Sequence, residues 1–187
     1  MRALYTLLWG CARPYLRLRL WWRGRKEPGY REAIGERFGR YAGPPAVAHD
    51  GSGGHAGAAG ETRAAAPLVE RILRDRPHAT VLLTAMTATG REAGRALFGA
   101  RVVQAWLPYD LPSAAARFLA RYQPRAGIVL ETEVWPNLLR ACARRRVPVF
   151  LVNARLSRRS AAGYARLGAL ARESFASFTG VAAQSSG

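Results

Sequence analysis

Short apolar runs alternate with amphipathic stretches along most of the chain. The runs have the length of buried strands and lie near residues 80–84, 101–106, 126–130, 147–152 and 179–183. Between them, apolar positions with helical spacing predict helices near residues 62–75, 90–98, 111–122, 135–145 and 158–175. Because strands that alternate with helices form a parallel sheet, the pattern predicts an α/β fold with helices on both faces of the sheet.

The first 26 residues have a different pattern, that of an amphipathic helix with a basic side. Arg2, Arg13 and Arg17 lie away from its apolar face. The apolar residues recur at intervals of three and four, at Leu4, Leu7, Leu8, Cys11, Tyr15, Leu18 and Trp22. The longest uncharged run is far too short to span a bilayer, and Pro14 interrupts the helical pattern. The segment therefore does not read as a simple transmembrane helix.

The end of this segment indicates a membrane-surface role. Trp21 and Trp22 stand among several arginines and Lys26. In such a combination the rings lie at the level of lipid headgroups and the cations contact lipid phosphates, so residues 1–26 are predicted to associate with an anionic membrane surface. Packing against protein remains an alternative because three apolar residues fall outside the main face: Trp9, Leu16 and Leu20.

Residues 42–60 have the weakest pattern in the chain. They contain too much glycine, alanine and proline to predict a strand, and only residues 46–48 hint at one. The first strand of the sheet is therefore left unplaced by the sequence.

Composition narrows the functional classes. A chain of 187 residues with 49% apolar content is long enough for one folded domain. Its 29 basic against 12 acidic residues give a net charge of +17, which nucleic acid, an anionic membrane surface or a phosphorylated substrate would each explain. Cys11 and Cys142 are far apart, and no histidine is spaced to form a metal site with them, so we expect reduced thiols and no metal.

Polar residues suited to a binding site follow several predicted strands. Glu131 and Glu133 come directly after the run at 126–130, and Pro136 suits the first turn of the helix that follows. Ligands of open parallel sheets gather at the carboxyl ends of the strands. The acidic pair therefore predicts a site at this edge of the sheet.

Other connections bring polar groups to the same edge. Thr87, Thr89 and Gly90 form a loop able to present hydroxyls and backbone N–H groups to an anion. Glu61 stands near a helix N-terminus, and Arg155 follows the run at 147–152. Each connection also has a structural interpretation.

Helix capping is that interpretation for two acids. Glu61 would cap or complement the helix near 62–75, and Asp110 would cap the helix that Pro112 begins.

Five motifs occur in the order seen in bacterial 3-deoxy-D-manno-octulosonic acid (Kdo) transferases. They are residues 60–61 (GE), 87–90 (TATG), 107–110 (LPYD), 131–137 (ETEVWPN) and 153–157 (NARLS). The chain resembles the N-terminal half of these enzymes from its first helix, through residues 36–39 (ERFG), to about residue 186.

The resemblance implies the Rossmann-like N-terminal domain of a GT-B glycosyltransferase. Residues 1–26 would be the membrane-associating helix and residues 27–187 the acceptor-binding domain, with the C-terminal donor-binding domain absent. The donor substrate would be CMP-Kdo and the acceptor lipid IVA, with no metal or other cofactor. The location implied is the cytoplasmic face of the bacterial inner membrane, peripheral or monotopic.

Site roles also follow from the resemblance. Glu61 matches the glutamate that acts as catalytic base in this family, while Glu131 and Glu133 match its acidic motif. One of these two would line the acceptor cleft, but the sequence does not say which. Substrate phosphate or carboxylate contacts would come from Arg155 and from the loop of Thr87, Thr89 and Gly90.

The chain departs from the family at the segment before Glu61. Where the family has an apolar strand leading into His-Ala-x-Ser-x-Gly-Glu, the chain has a glycine-rich stretch, with Ala58 in place of the serine. The departure puts the first strand, and with it the position of Glu61, in question.

Two further readings remain open beside the transferase. A non-catalytic membrane-surface or lipid-binding module is the first, because the donor-binding half is missing. Nucleic-acid binding is suggested by charge alone, and no recognition motif accompanies the scattered arginines, so no specific nucleic acid is expected. The 187 residues by themselves are expected not to transfer Kdo.

Overall fold

The computed structural model describes residues 1–42, 56–59, 62–131, 134–154 and 158–183. Within them, one sheet of six parallel strands has the order β3-β2-β1-β4-β5-β6. The strands are β1 Ala56–Ala59, β2 Val81–Ala85, β3 Val103–Trp106, β4 Ala126–Leu130, β5 Val149–Ala154 and β6 Gly180–Ala183. The order is that of doubly wound nucleotide-binding folds, which confirms the predicted Rossmann-like α/β class.

One helix precedes the strands and the others connect them. They are α1 Arg2–Lys26, α2 Thr62–Asp75, α3 Ala88–Phe98, α4 Pro112–Tyr122, α5 Pro136–Arg144, α6 Arg158–Arg166 and α7 Ala169–Ala176. Short 3₁₀ helices cover Pro28–Arg31, Ile34–Phe38 and Gly99–Arg101. One core cluster includes Leu82, Phe118 and Leu151, and a second includes Val69, Leu83 and Leu130, as expected for a sheet with apolar side chains on both faces.

The first strand is where the sequence pattern was weakest. β1 lies in the centre of the sheet, where Ala58 is in register with Leu83 of β2 and with Ile128 of β4. Hydrogen bonding from both sides specifies this strand although its own residues have low strand preference. The hint at residues 46–48 falls outside the described residues.

The last predicted helix is divided in two. Instead of one helix near 158–175, α6 ends at Arg166 and α7 starts after Gly168, whose φ is +50°. A residue with this positive φ cannot continue a right-handed helix, and glycine adopts such a conformation at little cost.

The N-terminal helix is continuous through Pro14 and packs against the domain. Its inner side buries Leu16 and Leu20 against Tyr30, Phe38 and Tyr109. Packing against protein, the alternative that the sequence left open, is thereby confirmed. The division into a membrane-associating segment, 1–26, and a domain, 27–187, stays a prediction.

The apolar face that the sequence periodicity identified is not the face that packs on the domain; it faces solvent. Leu18 and Trp22 are 64% and 67% exposed, and the same stripe includes exposed Leu4, Leu7, Leu8, Cys11 and Tyr15. We call these seven residues the outer stripe. No helix in the described ranges is long and apolar enough to cross a bilayer.

Candidate active site

The strand order reverses between β1 and β4, because β2 and β3 continue from β1 on one side and β5 and β6 continue from β4 on the other. Doubly wound folds bind ligands at such a switch point. β1 and β4 lie side by side, and Ala59 is in register with Val129. Glu61 follows Ala59 by two positions and Glu131 follows Val129 by two. The last described residue of β1 thus lies level with Val129 of β4, and the sequence has an acid two positions after each of them.

Glu131 begins the connection after β4 in a left-handed conformation. Its φ is +61°, and its backbone N–H donates to the carbonyl of Val152 at 3.1 Å. Asn153 on the neighbouring strand has a φ of +54°. Such conformations cost about 1–3 kcal/mol at residues other than glycine and cluster at ligand sites. Three non-glycine residues elsewhere in the described ranges also have positive φ, so the two conformations agree with a site at this edge but do not by themselves identify one.

The loop after β2 is organised by hydroxyl groups. Thr87 caps α3, because its Oγ1 accepts from the backbone N–H of Gly90 at 3.1 Å, and Thr89 Oγ1 lies 3.4 Å from the same oxygen. Thr62, at the start of α2, donates to the carbonyl of Gly90 at 2.8 Å. A Cβ at Gly90 would lie 2.9 Å from Thr87 Oγ1, so the cap requires glycine there. Substrate contacts by Thr87, Thr89 and Gly90 stay a prediction.

A buried arginine supports this loop. Arg37 is 1% exposed, and its Nη2 donates to the carbonyl of Met86 at 3.1 Å. Its guanidinium lies 3.8 Å from the ring centroid of Trp106. Burial lowers the pKa of Arg37, although Tyr109 and Tyr30 oppose that shift. None of the ion pairs among the described residues involves Arg37. No carboxylate in those pairs neutralises its charge, which therefore contributes positive potential at the loop after β2.

Asp110 caps a different helix from the one the sequence indicated. Its Oδ2 accepts from the N–H of Asn137 at 2.9 Å and its Oδ1 from the N–H of Leu138 at 2.8 Å. These are first-turn donors of α5, whereas α4, which Pro112 begins, has no side-chain cap. The prediction for Asp110 was therefore wrong about its partner. The reason is that the loops after β3 and β4 meet in space.

The Asp110 contacts extend to the N-terminal helix. Asn137 Nδ2 donates to the Asp110 carbonyl at 2.7 Å and to Thr6 Oγ1 at 3.2 Å. Burial raises the pKa of Tyr5, and the Asp110 carboxylate raises it further. Burial also raises the pKa of Asp110, although its hydrogen bonds from Asn137 and Leu138 act in the opposite direction. Helix α1 is thus tied to the loop that follows the acidic motif.

Sequence reasoning missed two members of this site. Arg37 was seen only as part of the motif at 36–39, and Asn137 only as the end of the motif at 131–137. Neither has a local pattern that predicts its long-range partner. Of the predicted site residues, Glu61, Glu133 and Arg155 lie outside the described residues, and their roles stay predictions.

Comparisons with known proteins agree with the motifs. Residues 32–187 match the family model described as 3-deoxy-D-manno-octulosonic-acid transferase (kdotransferase). A Bordetella pertussis protein named 3-deoxy-D-manno-octulosonic acid transferase is 46% identical over 98% of this chain and 44% of its own length. A Haemophilus influenzae protein of the same name is 40% identical over 85% of this chain and 37% of its own.

A plant protein is also similar. The Arabidopsis thaliana protein named probable 3-deoxy-D-manno-octulosonic acid transferase, mitochondrial, is 33% identical over 84% of this chain and 35% of its own length. The chain therefore spans less than half the length of these three relatives.

Proposed function

The chain belongs to the 3-deoxy-D-manno-octulosonic acid transferase family, a family of glycosyltransferases, and on this basis we propose that it forms the acceptor-binding half of an enzyme that transfers Kdo from CMP-Kdo to lipid IVA. The observation that carries the proposal is the family match over residues 32–187, together with the described parts of the family's motifs, such as Thr87–Gly90 and Glu131, which follow the carboxyl ends of β2 and β4. Donor binding is assigned to a second domain, as the relatives are more than twice as long.

The proposed reaction is the transfer of a sugar from a nucleotide donor to an acceptor hydroxyl. Glu61 takes the proton from an acceptor hydroxyl, whose oxygen then bonds to the anomeric carbon of Kdo. The bond between that carbon and the CMP phosphate oxygen breaks, and CMP leaves with the electron pair. Because the leaving phosphate is already a stable anion, no metal or other cofactor is proposed.

Three features of the chain support these roles. The common level of β1 and β4 favours Glu61 and Glu131 at one cleft, with Glu133 in the same motif. The N-terminus of α3, with Thr87, Thr89 and Gly90, offers a positive dipole end for a phosphate or carboxylate. Arg37, buried beside Met86, adds positive potential there.

A chimera tests the proposal. Residues 1–187 replace the corresponding region of the Bordetella pertussis transferase, whose own remainder supplies the second domain. We expect the chimera to release CMP and to form Kdo-modified lipid IVA from CMP-Kdo, and the 187 residues alone to do neither. A folded chimera that releases no CMP would contradict the proposal, and so would transfer by the 187 residues alone.

The outer stripe of α1 supports a second part of the proposal, association with an anionic membrane surface at the cytoplasmic face of the inner membrane. Its exposed side chains are apolar, and Arg13, Arg17, Arg19, Arg25 and Lys26 on the same helix are exposed as well. Apolar insertion combined with cations on acidic headgroups is the binding mode of interfacial helices. The same surface would serve a non-catalytic lipid-binding module, which the chimera assay separates from the enzyme.

Removing apolar area from the stripe is expected to weaken vesicle binding. Leu18→Ala with Trp22→Ala leaves the fold intact, because both side chains are exposed, but removes area that would enter the headgroup region. From the transfer energy of such side chains, we expect at least roughly a tenfold loss of affinity for vesicles of phosphatidylcholine and phosphatidylglycerol. Flotation measures it.

Leu97→Ala serves as the matched control for that experiment. Leu97 is also exposed, but it lies on α3, away from the stripe. Equal losses in the two variants, or none in either, would contradict membrane docking through α1.

A further inference from the structure

A groove separates α1 from the helices that follow β3 and β4. It has a volume of about 740 Å³, within the range of small-molecule sites. Its walls come from the first two turns of α1, the first two turns of α4 and one side of α5. It starts at Asn137, near the carboxyl edge of the sheet, and runs along α5 to Arg144 and Arg145 at the far end of that helix.

The charge along the groove is strongly positive. Arg140 and Arg144 line it from α5 and Arg145 from the C-cap of that helix, and none of them takes part in an ion pair found among the described residues. Arg140 and Arg144 are four residues apart and so lie on one face of the helix, where like charges repel. An anion between them would turn this repulsion into attraction.

Arg2 adds a fourth cation at the α1 wall. Its Nη2 pairs with Glu173, which holds the side chain in place. Its Nε is buried and has no hydrogen-bond partner within the described ranges. An atom without solvent exposure is not open to a ligand in the groove, so Arg2 contributes through the rest of its guanidinium, which the pair with Glu173 holds at the α1 wall.

Apart from Thr6 and Asn137, the rest of the groove is apolar, and it opens onto the outer stripe. Ala3, Pro112, Ala116 and Ala141 line it, and Leu7 belongs both to the groove and to the stripe. A ligand that combines a phosphate with a hydrocarbon chain would match both parts. One that lies in a membrane would reach the groove sideways along Leu7.

We propose that this groove binds the headgroup phosphate of an acidic glycerophospholipid, with the lipid's first acyl carbons along Ala3, Leu7 and Ala116. The choice of occupant rests on the membrane-surface location proposed above, because the groove continues the outer stripe. Three of the four cations lie along α5 or just beyond its C-terminal end rather than at the strand ends, so the phosphate site is distinct from the sugar-transfer cleft, which the groove adjoins at Asn137. It would hold α1 and α5 in one orientation relative to the bilayer.

A monomeric lipid tests the site without a membrane. Dihexanoyl phosphatidylglycerol, below its critical micelle concentration, is titrated into the 187-residue chain by calorimetry. We expect saturation at a single lipid per chain. In Arg140→Gln with Arg144→Gln the affinity should fall by roughly tenfold or more, since two charge-assisted contacts are lost.

Two controls separate a site from diffuse charge. Arg13→Gln with Arg17→Gln removes the same charge from exposed positions of α1 that do not line the groove, and it should leave the affinity within about twofold. Dihexanoyl phosphatidylcholine has the same chains without net charge and should not saturate the groove. Equal loss in both arginine pairs, or equal binding of the two lipids, would overturn the proposal.

Two further measurements decide between occupants. If inorganic phosphate binds as tightly as the lipid, the groove is a free-phosphate site and the proposal fails. The stripe variant, Leu18→Ala with Trp22→Ala, should keep full binding of the monomeric lipid. Retained monomer binding in this variant would support the groove whether or not the vesicle experiment supports membrane docking through α1. Loss of monomer binding in it would contradict a separate site in the groove.

Discussion

Glu61→Gln in the chimera with the Bordetella second domain is expected to lower kcat for Kdo transfer by about 10²–10⁴-fold, the usual contribution of a general base. Glutamine keeps the size and shape of the side chain but cannot accept the proton of the acceptor hydroxyl. KM for lipid IVA should change little, because substrate contacts are retained. The measurement is CMP release under steady-state conditions.

The pH profile and a matched variant sharpen that experiment. In the parent chimera the rate should fall at low pH, where the base is protonated, and in Glu61→Gln this fall should disappear. Glu92→Gln is the control, since Glu92 is exposed on α3 and forms no ion pair among the described residues. A rate within a fewfold of the parent in Glu61→Gln would show that Glu61 is not the base. Glu131 and Glu133 would then be replaced in turn.

Asp110→Ala is expected to destabilise the fold by about 2–4 kcal/mol, since the change leaves two helix N–H groups without their buried acceptors. Asp110 is 1% exposed and contacts both Asn137 and Leu138. Asp110→Asn retains one oxygen and should cost about half as much. Urea unfolding of the 187-residue chain measures both. A loss below about 1 kcal/mol in Asp110→Ala would show that the cap contributes little.

The same carboxyl also predicts a pH dependence. Its pKa is raised in the folded chain, so the folded state binds the proton more readily than the unfolded state. The stabilisation from this proton is present below the ordinary carboxyl pKa and is lost as the pH rises through the raised folded pKa. The stability of the wild type relative to Asp110→Asn should therefore increase as the pH falls through that window. A difference that does not change with pH would contradict the raised pKa.

The candidate site was predictable in its outline because its motifs are local. Glu131 directly follows its apolar run, Thr87 and Asp110 follow theirs within four residues, and parallel strands bring such positions to one edge. Their individual partners were not predictable. Asp110 contacts residues 27 and 28 positions away, and Arg37 reaches Met86 across 49 positions. Such contacts depend on which loops become neighbours, which no local period encodes.

The N-terminal helix shows the same division. Its periodicity identified an apolar stripe, but an apolar stripe marks either a face that packs on a core or one that binds a surface. The structure buries Leu16 and Leu20 and leaves Leu18 and Trp22 exposed. Only the position of the domain beneath the helix distinguishes the two faces.

Sequence by itself determined the alternation of strands and helices, the polar edge of the sheet, the amphipathic helix and the family, because each is written in residues close together along the chain. Tertiary structure alone decided that β1 occupies the centre of the sheet, that Asp110 caps α5 rather than α4, and which face of α1 is exposed. The physical reason is that pairing, capping and burial here join residues distant in sequence. Their free energies depend on the whole packed arrangement rather than on local preference.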